Sequence, residues 1–255
     1  MPDKFLEMHR ILLFIFLQGA ISSIGFSQTD SAKLKIVSLT KQTYVYTTYG
    51  RFAGSLFPSN SMYLVTNKGV VLFDTPWDSL QFQPLLDSIE ARHHKKVVLC
   101  ISTHFHADRT AGIDYYKQKG IKTYTTKQTD ELSKRKGEPR AEYLIFKDTS
   151  FHIGQYSFST FYPGKGHSPD NIVIWFGKEK VLYGGCFIKS TETNNIGNLS
   201  DASVDEWVIS LQKVIAKFKN PAFVIPGHQG WLSNTAVSHT IQVVKDYKKN
   251  AATNK

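Results

Sequence analysis

The sequence predicts an α/β domain in which two sheets pack face to face with helices on the outside. Short runs rich in β-branched and apolar residues recur in both halves of the chain, and each half sets its strands beside amphipathic helical stretches. No low-complexity segment and no short repeat period interrupts that pattern, so solenoid and disordered readings are excluded.

The elements follow in order. Residues 1–27 have the features of a secretory signal: Lys4 and Arg10 in a short charged start, ILLFIFL (11–17) opening an apolar core, and Gly25, Phe26 and Ser27 before an expected mature start at Gln28. The dense apolar run is short for a membrane span, and no cysteine near the cleavage point supports lipid attachment. A single domain over 28–255, exported to the periplasm and without stable membrane insertion after signal removal, is the expectation.

Strands are expected at 34–40, 43–49, 61–66 and 70–75, with Asn67, Lys68 and Gly69 as a hairpin turn. Asp78 is placed to cap a helix over 79–92 whose face is Phe82, Leu85, Leu86 and Ile89, with Pro84 delaying or kinking its start. VVLCIST (97–103) reads as a buried strand and 110–119 as a helix. After a connector near 137–142, strands are expected around 143–147, 150–153, 156–162, 171–176 and 180–183. Ser203 and Glu206 suggest a capping box for a helix at 204–218; a strand at 222–225 and a helix over 233–248 complete the chain.

The formal net charge of +10 favours anionic substrates or an anionic envelope surface. The positive residues are scattered, which argues against a nucleic-acid partner. Only two cysteines occur: Cys100 lies inside an apolar run and reads as core, whereas Cys186 follows two glycines at a strand end and reads as a metal ligand.

Four stretches carry the chemistry: HFHAD (104–108), GKGHS (164–168), GGCFIK (184–189) and PGHQG (226–230). They supply His104, His106 and His167 as one set of three candidate zinc ligands, and Asp108, Cys186 and His228 as a second. Each set leaves a coordination position open, as hydrolytic zinc requires. An extended chain through HFHAD would put positions 104, 106 and 108 on one face. Imidazole, carboxylate and thiolate together suit zinc rather than magnesium or calcium. His93, His94, His152 and His239 have no such spacing and read as ordinary surface or hydrogen-bonded histidines.

HFHADRTAG, GKGHSPDN, GGCFIKS, GNL (197–199) and PGHQGW, with FDTPWD (73–78), resemble the class B β-lactamases of subclass 1, from about residue 34 to about 248. The resemblance implies a four-layer αβ/βα sandwich, the metallo-β-lactamase fold, with its zinc site on loops at one edge of the sheets. It implies two zinc ions per chain, the first on His104, His106 and His167 and the second on Asp108, Cys186 and His228. It further implies hydrolysis of penicillins, cephalosporins and carbapenems by a zinc-held hydroxide, and hence antibiotic resistance. Asp108 counts among the catalytic residues; Lys189 would pair with the substrate carboxylate and Asn198 would lie near the lactam carbonyl.

Residues 48–61 match the family's mobile loop, with Phe52, Leu56 and Phe57 placed to cover apolar substrate parts. Arg109 would either orient Asp108 or make a structural salt bridge. Related thioesterases and lactonases extend the motif to HxHxDH, where this chain has Arg109, and a zinc-binding protein without activity would leave Lys189 and Asn198 unexplained. One chain holds the whole ligand set, so a monomer is expected.

Overall fold

The computed structural model describes residues 33–253. The expected signal over 1–27 lies outside them. Strands β1 (Lys35–Ser38), β2 (Thr43–Phe52), β3 (Ser55–Thr66), β4 (Gly69–Phe73), β5 (Val97–Ile101), β6 (Lys122–Thr126) and β7 (Tyr143–Ile145) form one sheet in that spatial order. Strands β8 (Ser150–Ile153), β9 (Tyr156–Phe161), β10 (Val173–Phe176), β11 (Val181–Gly185) and β12 (Phe223–Pro226) form the second, with β12 at one edge beside β11. Six helices accompany them among the described residues: α1 (Phe82–His93), α2 (Ala107–Thr110), α3 (Ile113–Gln118), α4 (Lys127–Lys136), α5 (Val204–Lys217) and α6 (Ala236–Thr253).

Side-chain alternation along the strands explains the layers. In β4, Val71 and Phe73 enter the core between the sheets, where Leu99 and Ile101 of β5 meet Phe158, Phe176, Tyr183 and Ile225 of the second sheet. Val70 and Leu72 point the other way, onto Phe82, Leu85 and Ile89 of α1 and Tyr116 of α3. In β11, Tyr183 points inward and Leu182 outward, onto Trp207, Leu211 and Val214 of α5 and Val244 of α6. Three apolar interfaces thus separate four layers, helices–sheet–sheet–helices. The fold is the expected αβ/βα sandwich, and β4 and β11 are buried throughout because both of their faces are covered.

Several local expectations need correction. Asp78 caps a single 3-10 turn, Ser79–Gln81, its carboxylate accepting from the Leu80 amide at 2.9 Å, and α1 begins only at Phe82. Pro84 accordingly sits in the first turn of α1, where its missing N–H costs nothing. The helix expected over 110–119 is two short helices, α2 and α3, separated at Ala111 and Gly112. β6 and α4 were not expected. KTYTT buries threonines, Thr123 and Thr125, and KQTDELSKRK carries one large apolar side chain, Leu132, so neither shows an apolar period. Ser203 does not form a reciprocal capping box; its hydroxyl donates to the Glu206 carboxylate at 3.2 Å and makes no bond to the α5 backbone. The last helix runs on to Thr253.

Residues 48–61 are not an irregular loop. β2 and β3 continue as a paired ribbon to Phe52↔Ser55, closed by Ala53 and Gly54, whose φ values of 49° and 82° are both left-handed. Among the described residues, no helix is long and apolar enough to cross a membrane.

Candidate metal centre

Three of the candidate ligands stand just past the end of a strand. His104 follows β5, Cys186 follows β11 and His228 follows β12, while His167 lies in the turn-rich stretch between β9 and β10. The chain bends through Thr103–His106 and does not run extended along HFHAD; His106 itself has φ −66° and ψ 149°. There the chain turns into α2, with the Arg109 amide bonded to the His106 carbonyl at 2.9 Å, so Asp108 reaches the cluster from a helical first turn.

The six side chains converge in two adjoining triads. His106 Nδ1 lies 3.1 Å from His104 Nε2 and 3.1 Å from His167 Nε2. Cys186 Sγ lies 3.2 Å from Asp108 Oδ2 and 3.1 Å from His228 Nε2, and those two atoms are 3.3 Å apart. Ligand atoms of His104, His167 and Cys186 also lie within 4.8 Å of one another, so the triads share one site. His93 and His239 stay outside it, bonded at 3.0 Å to Tyr63 and at 2.7 Å to the Thr193 carbonyl. Both cysteines are free thiols, and Cys100 is core as expected.

Groups behind the cluster choose which ring nitrogen faces it. His228 Nδ1 donates to the Pro58 carbonyl at 2.7 Å, which turns Nε2 inward. His106 Nε2 lies 3.2 Å from Asp201 Oδ2, which turns Nδ1 inward; Lys136, at the end of α4, holds the other oxygen of Asp201 at 3.2 Å. Arg109 is fully buried beneath the second triad, 3.0 Å from Asp108, 2.9 Å from Cys186 Sγ and 2.9 Å from the Gly227 carbonyl. Its second nitrogen donates to the Asn60 carbonyl at 2.8 Å and reaches Tyr183 at 3.1 Å. Asp74 receives the Thr103 amide at 2.6 Å and the Tyr183 hydroxyl, which ties the end of β4 to the start of the ligand loop.

Electrostatics follow from burial. Desolvation, reinforced by neighbouring cations, holds His104 and His167 well below the usual imidazole range, so both are neutral with a lone pair available. Burial alone would raise Asp108, but the Arg109 guanidinium, together with the hydrogen bond and charge of His228 and with His104, holds the carboxylate well below its ordinary value. Asp74 is pushed up to about 6 by burial, against the pull of Arg109 and its hydrogen bonds.

A cavity of about 300 Å³ opens above the triads. Phe52, Phe57 and Trp77 give it apolar lining; Lys189 and Asn198 are among its polar residues, whereas Leu56 does not reach it. The Lys189 ammonium lies 5.3 Å over the Trp207 ring, and burial lowers its pKa. Asn198 is exposed, its side-chain oxygen accepting from the Ser200 amide at 3.0 Å.

Residues 54–228 match the metallo-beta-lactamase superfamily. The chain is 43% identical over 242 residues to the metallo-beta-lactamase type 2 of Elizabethkingia meningoseptica, covering 95% of this chain and 97% of that one. This protein belongs to the metallo-β-lactamase family. It is also 40% identical over 228 residues to metallo-beta-lactamase IND-1 of Chryseobacterium indologenes, covering 88% and 95% of the two chains. The crystal structure of metallo-beta-lactamase IND-7 superposes with a TM-score of 0.81 at 38% identity, over 84% of this chain and 99% of that one. Membership makes this metallo-β-lactamase a zinc-dependent protein. Its Asp201 and Asn60 carried no signal in the sequence, because each is a lone polar residue that only the fold brings to the centre, and Asp74 stood within the FDTPWD motif with no role assigned to it.

Proposed function

We propose that the protein is a zinc β-lactamase that opens the lactam amide of penicillins, cephalosporins and carbapenems and so confers resistance to them. The observation that carries this reading is the meeting of two three-ligand sets at the floor of one cavity lined by Lys189 and by apolar rings.

The donor set fits two zinc ions. Three nitrogens, with His106 Nδ1 at 3.1 Å from each of the other two, suit ligands around an ion at about 2.0–2.1 Å from each, and the thiolate with carboxylate and imidazole suits a second. His104, His106 and His167 would hold one ion, and Asp108, Cys186 and His228 the other. Bound zinc would polarise the carbonyl and bring the pKa of a coordinated water to about 7.

The chain's own residues do the rest. The Lys189 ammonium, desolvated beside Trp207, pairs with the substrate carboxylate and sets its orientation. Asn198 offers an amide at the cavity rim for the lactam carbonyl oxygen. Phe52, Phe57 and Trp77 receive apolar substituents and exclude water. Asp201 holds His106, and Arg109 with the neighbouring histidines keeps Asp108 ionised.

The mature domain is residues 28–255, exported to the periplasm by the segment before it and active as a monomer, since one chain supplies every group named here. Hydrolysis of one member of each lactam class by purified 28–255, with zinc and with a chelator, tests the assignment. Chelator-sensitive turnover restored by zinc is expected. A folded protein that binds two zincs and hydrolyses none of the three would be a zinc-binding protein or another hydrolase of this fold.

A further inference from the structure

β1 pairs with β2 only as far as Lys35↔Thr47, so among the described residues no strand lies beside the outer edge of β2 from Thr48 onward. At Tyr49 a side chain takes the vacant place. The Tyr49 amide donates to Gln81 Oε1 at 3.0 Å, and Gln81 Nε2 donates to the Tyr49 carbonyl at 2.7 Å. A primary amide carries the same donor and acceptor as a peptide unit, so Gln81 adds one rung to the ladder. At the next residue a Cβ on Gly50 would overlap the Trp77 indole, which places that ring directly on the β2 backbone.

Past this point support ends. Arg51–Leu56 are exposed, and a Cβ on Gly54 would meet nothing within 4 Å. The tip is held by its own pairing from Gly50↔Phe57 to Phe52↔Ser55, and a two-stranded ribbon by itself is marginally stable. Yet it carries two rings of the cavity wall, Phe52 and Phe57, the latter with its centroid 5.0 Å from that of His228.

We propose that Gln81 is a positioning residue: with Trp77 behind it, it sets the hinge of the β2–β3 hairpin at Gly50 and so places Phe52 and Phe57 against the apolar part of a bound substrate. The substrate half of this rests on the lactamase reading; the hinge is a property of the free protein. Gln81 ends the 3-10 turn that Asp78 caps, and Phe82 beside it is buried in the α1 core. On the β2 side the hinge is therefore referenced to the helical layer, while on the β3 side Pro58, opposite Tyr49, accepts from the metal-ligand candidate His228. Both bonds need a carboxamide. A carboxylate keeps the acceptor for the Tyr49 amide and loses the donor, and a thioether offers neither donor nor comparable acceptor.

The test is residue-resolved amide exchange on the zinc-loaded protein, with steady-state kinetics on one lactam bearing a bulky aromatic substituent and one bearing a small one. Gln81→Met should speed exchange at Tyr49 and across the hairpin tip by about tenfold, with β4 and β5 amides unchanged. It should raise KM for the bulky lactam by about threefold while kcat and the small lactam's KM stay put. Gln81→Glu should retain part of the Tyr49 protection. Unchanged exchange at Tyr49, or an equal rise in β4 and β5, overturns the hinge. Faster hairpin exchange with KM unchanged for both lactams overturns the positioning role. Absence of lactam turnover in the unsubstituted protein would remove the substrate assignment, and the exchange data would still decide the hinge.

Discussion

Arg109 Nη2 lies 2.9 Å from the sulfur of Cys186, and both side chains are closed to solvent. The same nitrogen lies 3.0 Å from the Asp108 carboxylate, so one buried cation serves two candidate ligands of the second triad. Asp74 is 3.6 Å away, and backbone carbonyls of Asn60 and Gly227 accept from the guanidinium. The two readings of Arg109, ligand-orienting and structural, therefore describe one arrangement. Gly227 is required beneath it, because a Cβ there would come within 2.6 Å of Arg109 Nη2 and of the Cys186 amide.

Removing that cation strands two buried carboxylates. Arg109→Ala should cost about 3–5 kcal/mol of stability, the range for breaking a buried pair. Arg109→Lys keeps the charge but cannot span both groups of acceptors with one nitrogen, and should recover only part of the loss. Chemical denaturation of the zinc-free protein reads both; a stability change within about 0.5 kcal/mol for the alanine variant would contradict the account.

Cys186→Ser replaces the sulfur that lies 3.1–3.2 Å from both partners in its triad. Zinc titration with a competing chelator should show the second ion bound more weakly, with slower lactam turnover. Two tightly held zincs and unaltered activity would reject the ligand role.

His228 gives a pH prediction. Burial opposes its charge, but Cys186 and Asp108 beside it raise its pKa from 6.5 to about 9 in the zinc-free chain. With the folded value above the unfolded one, the imidazolium stabilises the zinc-free protein fully below pH 6.5, and that contribution disappears as pH rises through about 9. Zinc must displace this proton, so the apparent affinity of the second triad should climb as pH rises toward about 9. An NMR titration of the His228 ring in zinc-free protein should find its midpoint near the upper value; a midpoint at the ordinary imidazole pKa would refute the effect.

Trp207 is fully buried, donates its indole N–H to the Phe187 carbonyl at 2.9 Å and lies beneath the Lys189 ammonium. Trp207→Ala should cost about 3–5 kcal/mol by opening a cavity under α5. Trp207→Phe should fold with a smaller loss and still raise KM for lactams, since Lys189 loses its better cation–π partner. An unchanged KM in the phenylalanine variant would separate Lys189 positioning from this ring.

The six candidate ligands were legible because short motifs state them locally: the HxHxD spacing after an apolar strand for His104, His106 and Asp108, and a glycine immediately before His167, Cys186 and His228. The missed elements were illegible for an equally local reason. Strand β6 and helix α4 are threonine- and lysine-rich, and their order comes from pairing with β5 and β7 and from the Thr126 cap. Asp108 showed its identity but not its approach, since the helical turn that delivers it is set by the bond between residues 106 and 109.

By itself the sequence determined the layer order, through strands whose two faces are both apolar and helices with one apolar face, and it determined the donor chemistry, because imidazole, thiolate and carboxylate are written in the residues. Only the tertiary structure decided which polar residues stand behind those donors. Asp201 reaches His106 across 95 positions of sequence, and Asn60 reaches the Pro226 carbonyl across 166. No periodicity encodes such pairs. They exist because two sheets packed face to face bring the ends of distant strands to one edge, where buried polar groups must find partners.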